Sequence, residues 1–194
     1  MRYALVLCLL LVLPGPLWAQ AGQDEATRTR AGAAAAVLLK GGAVAGSSRM
    51  MIGGWGGLVF GDHFLLAGGG LGLSKDVEIP GSGLSTGFDL GMGYGGVFLK
   101  YWEDLSGGFT AGAGLFVGAG HAEVRGRLLG NELGADNFLV LEPEASLAYG
   151  LFRGISLEVA AGYRIATGVE DLPTVTESDF RALTGTLLLR VGGR

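Results

Sequence analysis

The sequence contains little cysteine, little charge and few histidines. Of 194 residues one is cysteine and two are histidine, and charged residues make up 16% of the chain. The cysteine is Cys8, so the chain beyond the N-terminal segment has no thiol for a disulfide or for a zinc site of the cysteine type. The 18 Asp and Glu outnumber the 14 Lys and Arg. This acidic balance argues against a nucleic-acid-binding protein, which would show a basic stripe.

The N-terminal segment has the pattern of a cleaved signal peptide. Arg2 supplies a positive start, an apolar run follows, and Pro14 and Pro16 interrupt that run. It is too short for a transmembrane helix, which needs about 20 apolar residues. Ala19-Gln20-Ala21 matches an A-x-A cleavage site, with cleavage after Ala19 as the near alternative.

We therefore predict a signal peptide over residues 1–21 and a flexible periplasmic leader over residues 22–32. The folded domain then covers residues 33–194. Once Arg2 is removed with the signal peptide, 13 basic residues remain against 18 acidic ones, a net charge of −5.

Glycine and hydropathy must be explained together. Glycine accounts for 38 of 194 residues, and the mean hydropathy is +0.44. Glycine-rich disordered chains are not this apolar, and the strict repeat of collagen is absent. No clear helical membrane span follows the signal peptide. The chain has the hydropathy of a membrane protein without its usual helical pattern.

Many glycines recur at every second position, which is the period of a β-strand. Three such sets are Gly68, Gly70 and Gly72; Gly87, Gly91, Gly93 and Gly95; and Gly112, Gly114, Gly118 and Gly120. Large apolar residues stand between them. We expect the large residues to face lipid outside a barrel and the glycines to line its interior. A helix over residues 105–122 is the weaker alternative, because alternate glycines would destabilise it.

Eight segments can be drawn as strands. They are Ala33–Val44, Met50–Phe60, Phe64–Leu73, Gly87–Tyr101, Gly108–Val124, Asn137–Phe152, Ile155–Thr167 and Phe180–Val191. Short connections alternate with longer polar ones, as in outer-membrane barrels with periplasmic turns and extracellular loops. Only the connection near Gly46–Arg49 is short where a long one is expected. Aromatic residues flank the short turns, where an interfacial girdle belongs; they are Phe60, Phe64, Phe98, Tyr101, Trp102, Phe109, Tyr149 and Phe152. Parity instead turns Phe138 and Phe180 inward.

Pro143 lies inside the sixth segment, where a closed barrel has no free edge for it. It requires a bulge or a later start of the strand. The chain also ends Gly192-Gly193-Arg194, without the usual terminal aromatic residue of a barrel.

Taken together, the signal peptide, the glycine alternation, the alternation of turns and loops, and stretches such as residues 157–164 resemble small bacterial outer-membrane β-barrel proteins of the OmpX/OmpA-membrane-domain type. The resemblance covers nearly all of the mature chain. It implies an all-β, up-and-down antiparallel transmembrane barrel of about eight strands, located in the cell outer membrane. It also implies assembly by the barrel-insertion machinery. It implies no activity, because the fold hosts many.

Parity places a polar cluster inside the barrel. Its charged members are Glu142, Glu144, Glu158, Arg164 and Arg190. Charges in a narrow interior must be paired, and the two arginines are suitable partners for the carboxylates. We expect a structural polar plug, with a narrow pore as the alternative.

An enzyme acting on lipopolysaccharide is the second alternative. Such a hydrolase needs a serine beside a histidine, but His121 is followed by Ala122 and Glu123 and faces outward by parity. We therefore expect no catalytic residues, no metal and no cofactor. Lys75, Arg125 and Arg127 fall in predicted loops or rims and are candidates for contact with lipopolysaccharide phosphates. The expected partners are outer-membrane lipid and lipopolysaccharide, with no nucleic acid, and the expected state is a monomer.

Overall fold

The computed structural model describes residues 31–61, 63–74, 77–79, 88–126, 132–169 and 176–193. The predicted signal peptide and residues 22–30 of the predicted leader lie outside these ranges. The first strand begins at Ala31, so the barrel starts slightly before the predicted boundary at Ala33.

The described chain is almost entirely β-strand. The strands are β1 (Ala31–Val44), β2 (Ser47–Phe60), β3 (Phe64–Leu73), β4 (Val77–Ile79), β5 (Phe88–Asp104), β6 (Phe109–Gly126), β7 (Glu132–Phe152), β8 (Ile155–Thr167) and β9 (Ala182–Gly192). Two short 3-10 turns lie at Ser106–Gly108 and Glu177–Phe180. No helix in the described ranges has the length and hydropathy needed to cross a membrane.

Eight of these strands form a closed antiparallel ring, as predicted. Successive strands of the ring pair with each other, and β1 pairs with β9 to close it. Strands β3 and β5 are successive in the ring and pair directly, although β4 lies between them in the sequence. Strand β4 pairs only with the outer part of β5, where Val77 lies opposite Leu90. It continues the line of β3 beyond the ring.

The two ends of the barrel differ in their connections. At one end, here the turn end, Gly61–His63, Leu105–Gly108 and Arg153-Gly154 join successive strands. Gly154 has a φ of +76°, which a glycine adopts without strain. At the other end, the loop end, β8 and β9 are joined by a longer segment that includes residues 176–181. The connection between β1 and β2 is only Ala45-Gly46.

The ring separates an apolar outer face from a mixed lumen. Large apolar side chains are exposed on nearly every strand, with Leu183 79%, Phe152 75% and Val37 66% exposed. Positions of the opposite parity are buried inside. An exposed apolar surface of this extent needs lipid around it, as in transmembrane barrels.

The predicted orientation of the glycines is right for one strand and wrong for two. On β6, Gly112, Gly114, Gly118 and Gly120 share the parity of buried Phe116 and line the lumen. On β5, the large residues Leu90, Met92 and Tyr94 are buried inside. The glycines between them, Gly91, Gly93 and Gly95, therefore face outward. Gly68, Gly70 and Gly72 also face outward, opposite in parity to buried Leu65 and Leu71.

The glycines face inward on β6 but outward on β3 and β5 because the volume of the lumen is limited. The interior of a small barrel is only just wide enough for side chains. The glycines of β6 leave room for large residues of neighbouring strands. A Cβ at Gly114 would lie 3.0 Å from the Phe98 ring and 3.1 Å from Glu144 Cγ. The lumen is therefore filled by large side chains from some strands packed over glycines of another.

The predicted aromatic girdle is correct in part. Phe64, Tyr101, Phe109, Tyr149 and Phe152 are exposed near the turn end. Phe98 and Trp102 were expected in the girdle but are buried in the lumen. They share the parity of Lys100, whose charge requires the interior position.

Strand β7 contains Pro143 without a bulge, which corrects the prediction. Leu141 pairs with Ile165 and Glu144 pairs with Gly162, so the register with β8 is unchanged across the proline. Between Leu139 and Gly150 the pairing is interrupted at Glu142 and Pro143, and a separate register shift lies between Gly150 and Phe152. On its other side, Pro143 lies opposite Leu115 of β6. Strand β7 thus stays in register with both neighbours, and only its pairing with β8 is interrupted at the proline.

A matched pair of glycine substitutions tests the packing of the barrel wall. A Cβ at Gly96 would lie 2.5 Å from Gly118 Cα and 2.9 Å from the Val117 carbonyl carbon, whereas one at Gly56 has nothing within 4 Å. We expect Gly96→Val to lower the free energy of unfolding by about 1–3 kcal/mol through overpacking. Gly56→Val should change it by less than about 0.5 kcal/mol. Urea unfolding in lipid vesicles measures both, and equal costs would contradict the packing described.

Candidate functional site in the barrel lumen

The five charged residues predicted to share the lumen lie there. Glu142, Glu158, Arg164 and Arg190 are buried, and the Glu144 side chain is 7% exposed. Two further cations, Lys40 of β1 and Lys100 of β5, are buried with them. The sequence analysis did not select these lysines.

Glu142 is the centre of the first group. Its Oε1 accepts hydrogen bonds from Lys40 Nζ at 2.8 Å and from Thr184 Oγ1 at 2.6 Å. Its Oε2 accepts one from the Tyr94 hydroxyl at 3.1 Å. The carboxylate is 1% exposed, so these three donors replace the water that would otherwise solvate it.

Lys100 is the centre of the second group. Its Nζ donates to Glu158 and lies 3.5 Å from Glu144 Oε1. Its side chain also passes close to Gly112, where a Cβ would lie 3.1 Å from Lys100 Cε. The lysine therefore joins two carboxylates of β7 and β8, and a glycine of β6 gives it room.

The two arginines contact backbone carbonyls, a serine and an aromatic ring. Arg164 donates from Nε to the Phe180 carbonyl at 2.7 Å and from Nη2 to the Ala43 carbonyl at 2.6 Å. Arg190 donates from Nε to Ser156 Oγ at 3.0 Å, and its guanidinium lies 4.6 Å from the centre of the Trp102 ring. Lys40 and Lys100 form ion pairs with the buried glutamates.

Parity contains a signal for the lysines. Lys100 has the same parity as Tyr94, Phe98 and Trp102 along β5, so these four residues share one face of the strand. A charge on the lipid-facing side is costly, so this face should be the lumen side. The same reasoning applies to Lys40, which shares one face of β1 with Ala36 and Leu38. A charged residue inside an apolar strand therefore identifies the lumen side of that strand.

The segment Glu177–Arg181 before β9 packs into the loop end of the lumen. Phe180 is fully buried and packs against Phe138, with ring centres 5.2 Å apart. The Asp179 carbonyl accepts a hydrogen bond from the Ala45 amide at 2.9 Å. The parity prediction that Phe138 and Phe180 face inward is confirmed.

Glu177 anchors this segment to the end of β8. Its Oε1 accepts hydrogen bonds from the Gly168 amide at 2.7 Å and from Thr167 Oγ1 at 3.0 Å. Arg181 Nη2 donates to Oε2 at 2.9 Å. The Gly168 amide and then the Thr167 hydroxyl hold the pKa of the Glu177 carboxyl below its usual value.

A small cavity lies beside the cluster. It has a volume of about 30 Å³ and is lined by Lys40, Trp55, Phe98, Glu144 and Thr186, together with neighbouring apolar residues. This volume accommodates one or two water molecules. The lumen is thus largely filled by side chains.

The candidate residues for other chemistry lie apart from this cluster. His121 faces outward, and its Nδ1 lies 3.0 Å from Asn137 Oδ1. Ala122 and Glu123 follow His121 in the sequence, so the serine expected beside the histidine of such a hydrolase is missing from this stretch. Within the described ranges, no group of three or more His, Cys, Asp or Glu is placed to hold a metal ion.

Of the residues proposed to contact lipopolysaccharide, Lys75 and Arg127 lie outside the described residues. Arg125 is exposed near the loop end, and its Nη2 lies 2.6 Å from Glu123 Oε1. Part of its charge is therefore already compensated within the protein.

Comparisons with known proteins agree with the fold. No protein-family model and no curated protein matches the sequence. The chain is similar to the Neisserial surface protein A, with a TM-score of 0.55 and 14% identity over 84% of this chain and 95% of that one. It is also similar to the N-terminal β-barrel domain of Pseudomonas aeruginosa OprF, with a TM-score of 0.51 and 11% identity over 82% and 96% of the two chains.

Both similar structures are small outer-membrane barrels. The chain therefore has the fold of a small outer-membrane β-barrel, which confirms the predicted resemblance at the level of fold. Its apolar outer face agrees with the outer-membrane location that the sequence predicts.

Removing the Glu142 carboxylate should show how much its pairing with Lys40 contributes to the free energy of unfolding. We expect Glu142→Leu to cost about 3–5 kcal/mol, because it leaves the Lys40 ammonium buried without its anion. The double variant Lys40→Met/Glu142→Leu should recover much of this loss, whereas Glu123→Leu, at an exposed pair, should cost less than about 1 kcal/mol. Urea unfolding in vesicles measures these three variants and the single variant Lys40→Met. A double variant as costly as the sum of its single changes would argue against the pairing.

The anchor at Glu177 should depend on pH. Because its pKa is lowered in the folded protein, the stabilisation is present above the ordinary value of 4.5 and is lost as pH falls through the lowered value. Hydrogen-exchange protection of the Gly168 amide should decrease over that range. Glu177→Gln should remove this dependence, and Glu103→Gln, at the turn end, should preserve it. A pH-independent protection in the unchanged protein would refute the anchor.

Proposed function

We propose that this protein is a structural outer-membrane barrel whose lumen is closed by a brace of paired charges. The observation that carries the proposal is the buried Glu142 carboxylate with its donors Lys40, Tyr94 and Thr184. These residues come from strands on different sides of the ring. The polar lumen thus links the walls of the barrel.

The two lysine pairs span the barrel. In the ring, β9 and β8 separate β1 from β7, and β6 and β7 separate β5 from β8. The pair Lys40–Glu142 therefore joins β1 to β7 across the interior, and Lys100–Glu158 joins β5 to β8. Ion pairs of this kind stabilise only when both partners are present, because either charge alone is costly to bury.

The role we infer is one of structure or interaction at the membrane, without enzymatic activity. The apolar outer face would hold the barrel in lipid, and its loops would be available to partners. Contact with lipopolysaccharide through the loop end, insertion by the barrel-insertion machinery and a monomeric state remain predictions of the sequence.

A narrow pore is the second candidate, and one observation favours it. The cavity beside Lys40 and Glu144 shows that the side chains do not fill the lumen completely. Rearrangement of Lys100 between Glu144 and Glu158 would be one way to connect such spaces.

Conductance in planar bilayers separates the two candidates. The brace predicts no steady single-channel current from the unchanged protein. Glu142→Gln should weaken the bond to Lys40 and produce brief openings, whereas Leu141→Val, on the outer face of the same strand, should leave the bilayer silent. A steady current from the unchanged protein, altered in Glu142→Gln, would instead establish the pore.

A further inference from the structure

The outer wall has a local defect where β7 meets β8. Pairing stops at Glu142 and Pro143 and resumes in the same register on both sides. Pro143 is exposed on the outer face, and Tyr163 lies opposite it. Of the two residues at the interruption, Pro143 faces lipid, whereas Glu142 faces the lumen.

One missing donor explains the whole interruption. In an antiparallel ladder, a hydrogen-bonded pair exchanges two N–H to C=O bonds. Proline has no N–H, so the bond from residue 143 to the Tyr163 carbonyl cannot form. The same bond also defines the adjacent pair of Glu142 and Arg164. The pairing of Glu144 with Gly162 shows that the ladder is intact immediately beyond it.

The wall is hollowed at this point. The hollow is lined by Pro143, Glu144, Ala145, Ala161, Gly162, Tyr163 and Leu183. Its floor is made by small residues, and at its edge are the side chains of Tyr163, 43% exposed, and Leu183, 79% exposed. Exposed Leu139 and Leu141 extend the apolar surface toward the loop end. The hollow thus opens to the hydrocarbon region.

The Tyr163 carbonyl gives this hollow its chemical preference. A carbonyl without a donor costs several kcal/mol in hydrocarbon, where water cannot bond to it. The surrounding surface is apolar, so a ligand must bring its own apolar body. The complement of the hollow is a molecule with an apolar chain or ring and one hydrogen-bond donor.

We propose that the hollow at Pro143 binds a small membrane-soluble amphiphile through a hydroxyl or N–H group that donates to the Tyr163 carbonyl. The small side chains of Ala145 and Ala161 make room for the donor end, and Leu183 and Tyr163 cover the apolar body. The proposal rests on the membrane location of the barrel. It is independent of whether the lumen is closed or conducting.

The test compares two probes with the same decyl chain, one with a hydroxyl donor and one in which a methyl group replaces the hydroxyl hydrogen. The full barrel, labelled for NMR and reconstituted in lipid nanodiscs, is titrated with decanol and, separately, with decyl methyl ether. We expect decanol to shift the Tyr163 carbonyl carbon resonance in a saturable manner, several-fold more than the ether does. Equal shifts with the two probes, or a shift spread evenly over the outer face, would overturn the proposal.

Two variants extend the test. Pro143→Val restores the missing N–H, so the Tyr163 carbonyl should be bonded within the sheet and its response to decanol should be lost. Leu141→Val changes the same outer face without adding a donor and should keep the response. A response retained in Pro143→Val would contradict the assigned acceptor. Should that variant not fold, the comparison of decanol with the ether in the unchanged protein decides alone.

Discussion

The structure depends on closing a backbone hydrogen-bond ring in a medium that offers no water. In lipid, each unpaired N–H or C=O group is costly, and a closed barrel avoids sheet edges altogether. Here the pairing of β1 with β9 and of β3 with β5 closes the ring. Closure gives each strand one side toward lipid and one toward the lumen. The chemistry of both faces follows from that division.

Inside the ring, the limited volume and the low polarity of the lumen together determine which side chains it can hold. Large residues such as Phe98 fit because glycines such as Gly114 lie on the neighbouring strand. Charges fit because Lys40 and Lys100 meet carboxylates from the far side of the barrel. The same lack of water that makes an unpaired charge costly makes each cross-barrel pair an effective constraint on the shape of the lumen.

The sequence predicted the number of strands in the ring and the presence of Glu142 in the lumen, because period two determines which residues share a face. It did not determine which face of β3 and of β5 is inside. Gly93 and Gly95 face outward because Tyr94 and Lys100 occupy the lumen, and that choice depends on which strands become neighbours. The cation partners could not be read from spacing alone. Pro143 was judged incompatible with regular pairing, yet a barrel in register tolerates one missing bond.

The central claim, a membrane barrel with an apolar outer face and a packed lumen, is tested most directly by cysteine scanning along β7. In a variant with Cys8 replaced by alanine, single cysteines are placed at positions 138–149 and labelled in vesicles with lipid-soluble and water-soluble maleimides. The account predicts labelling by the lipid-soluble reagent at odd positions such as Leu139 and Leu147, and protection at even positions such as Val140 and Ala148. Labelling without this alternation, or by the water-soluble reagent at the odd positions, would contradict it.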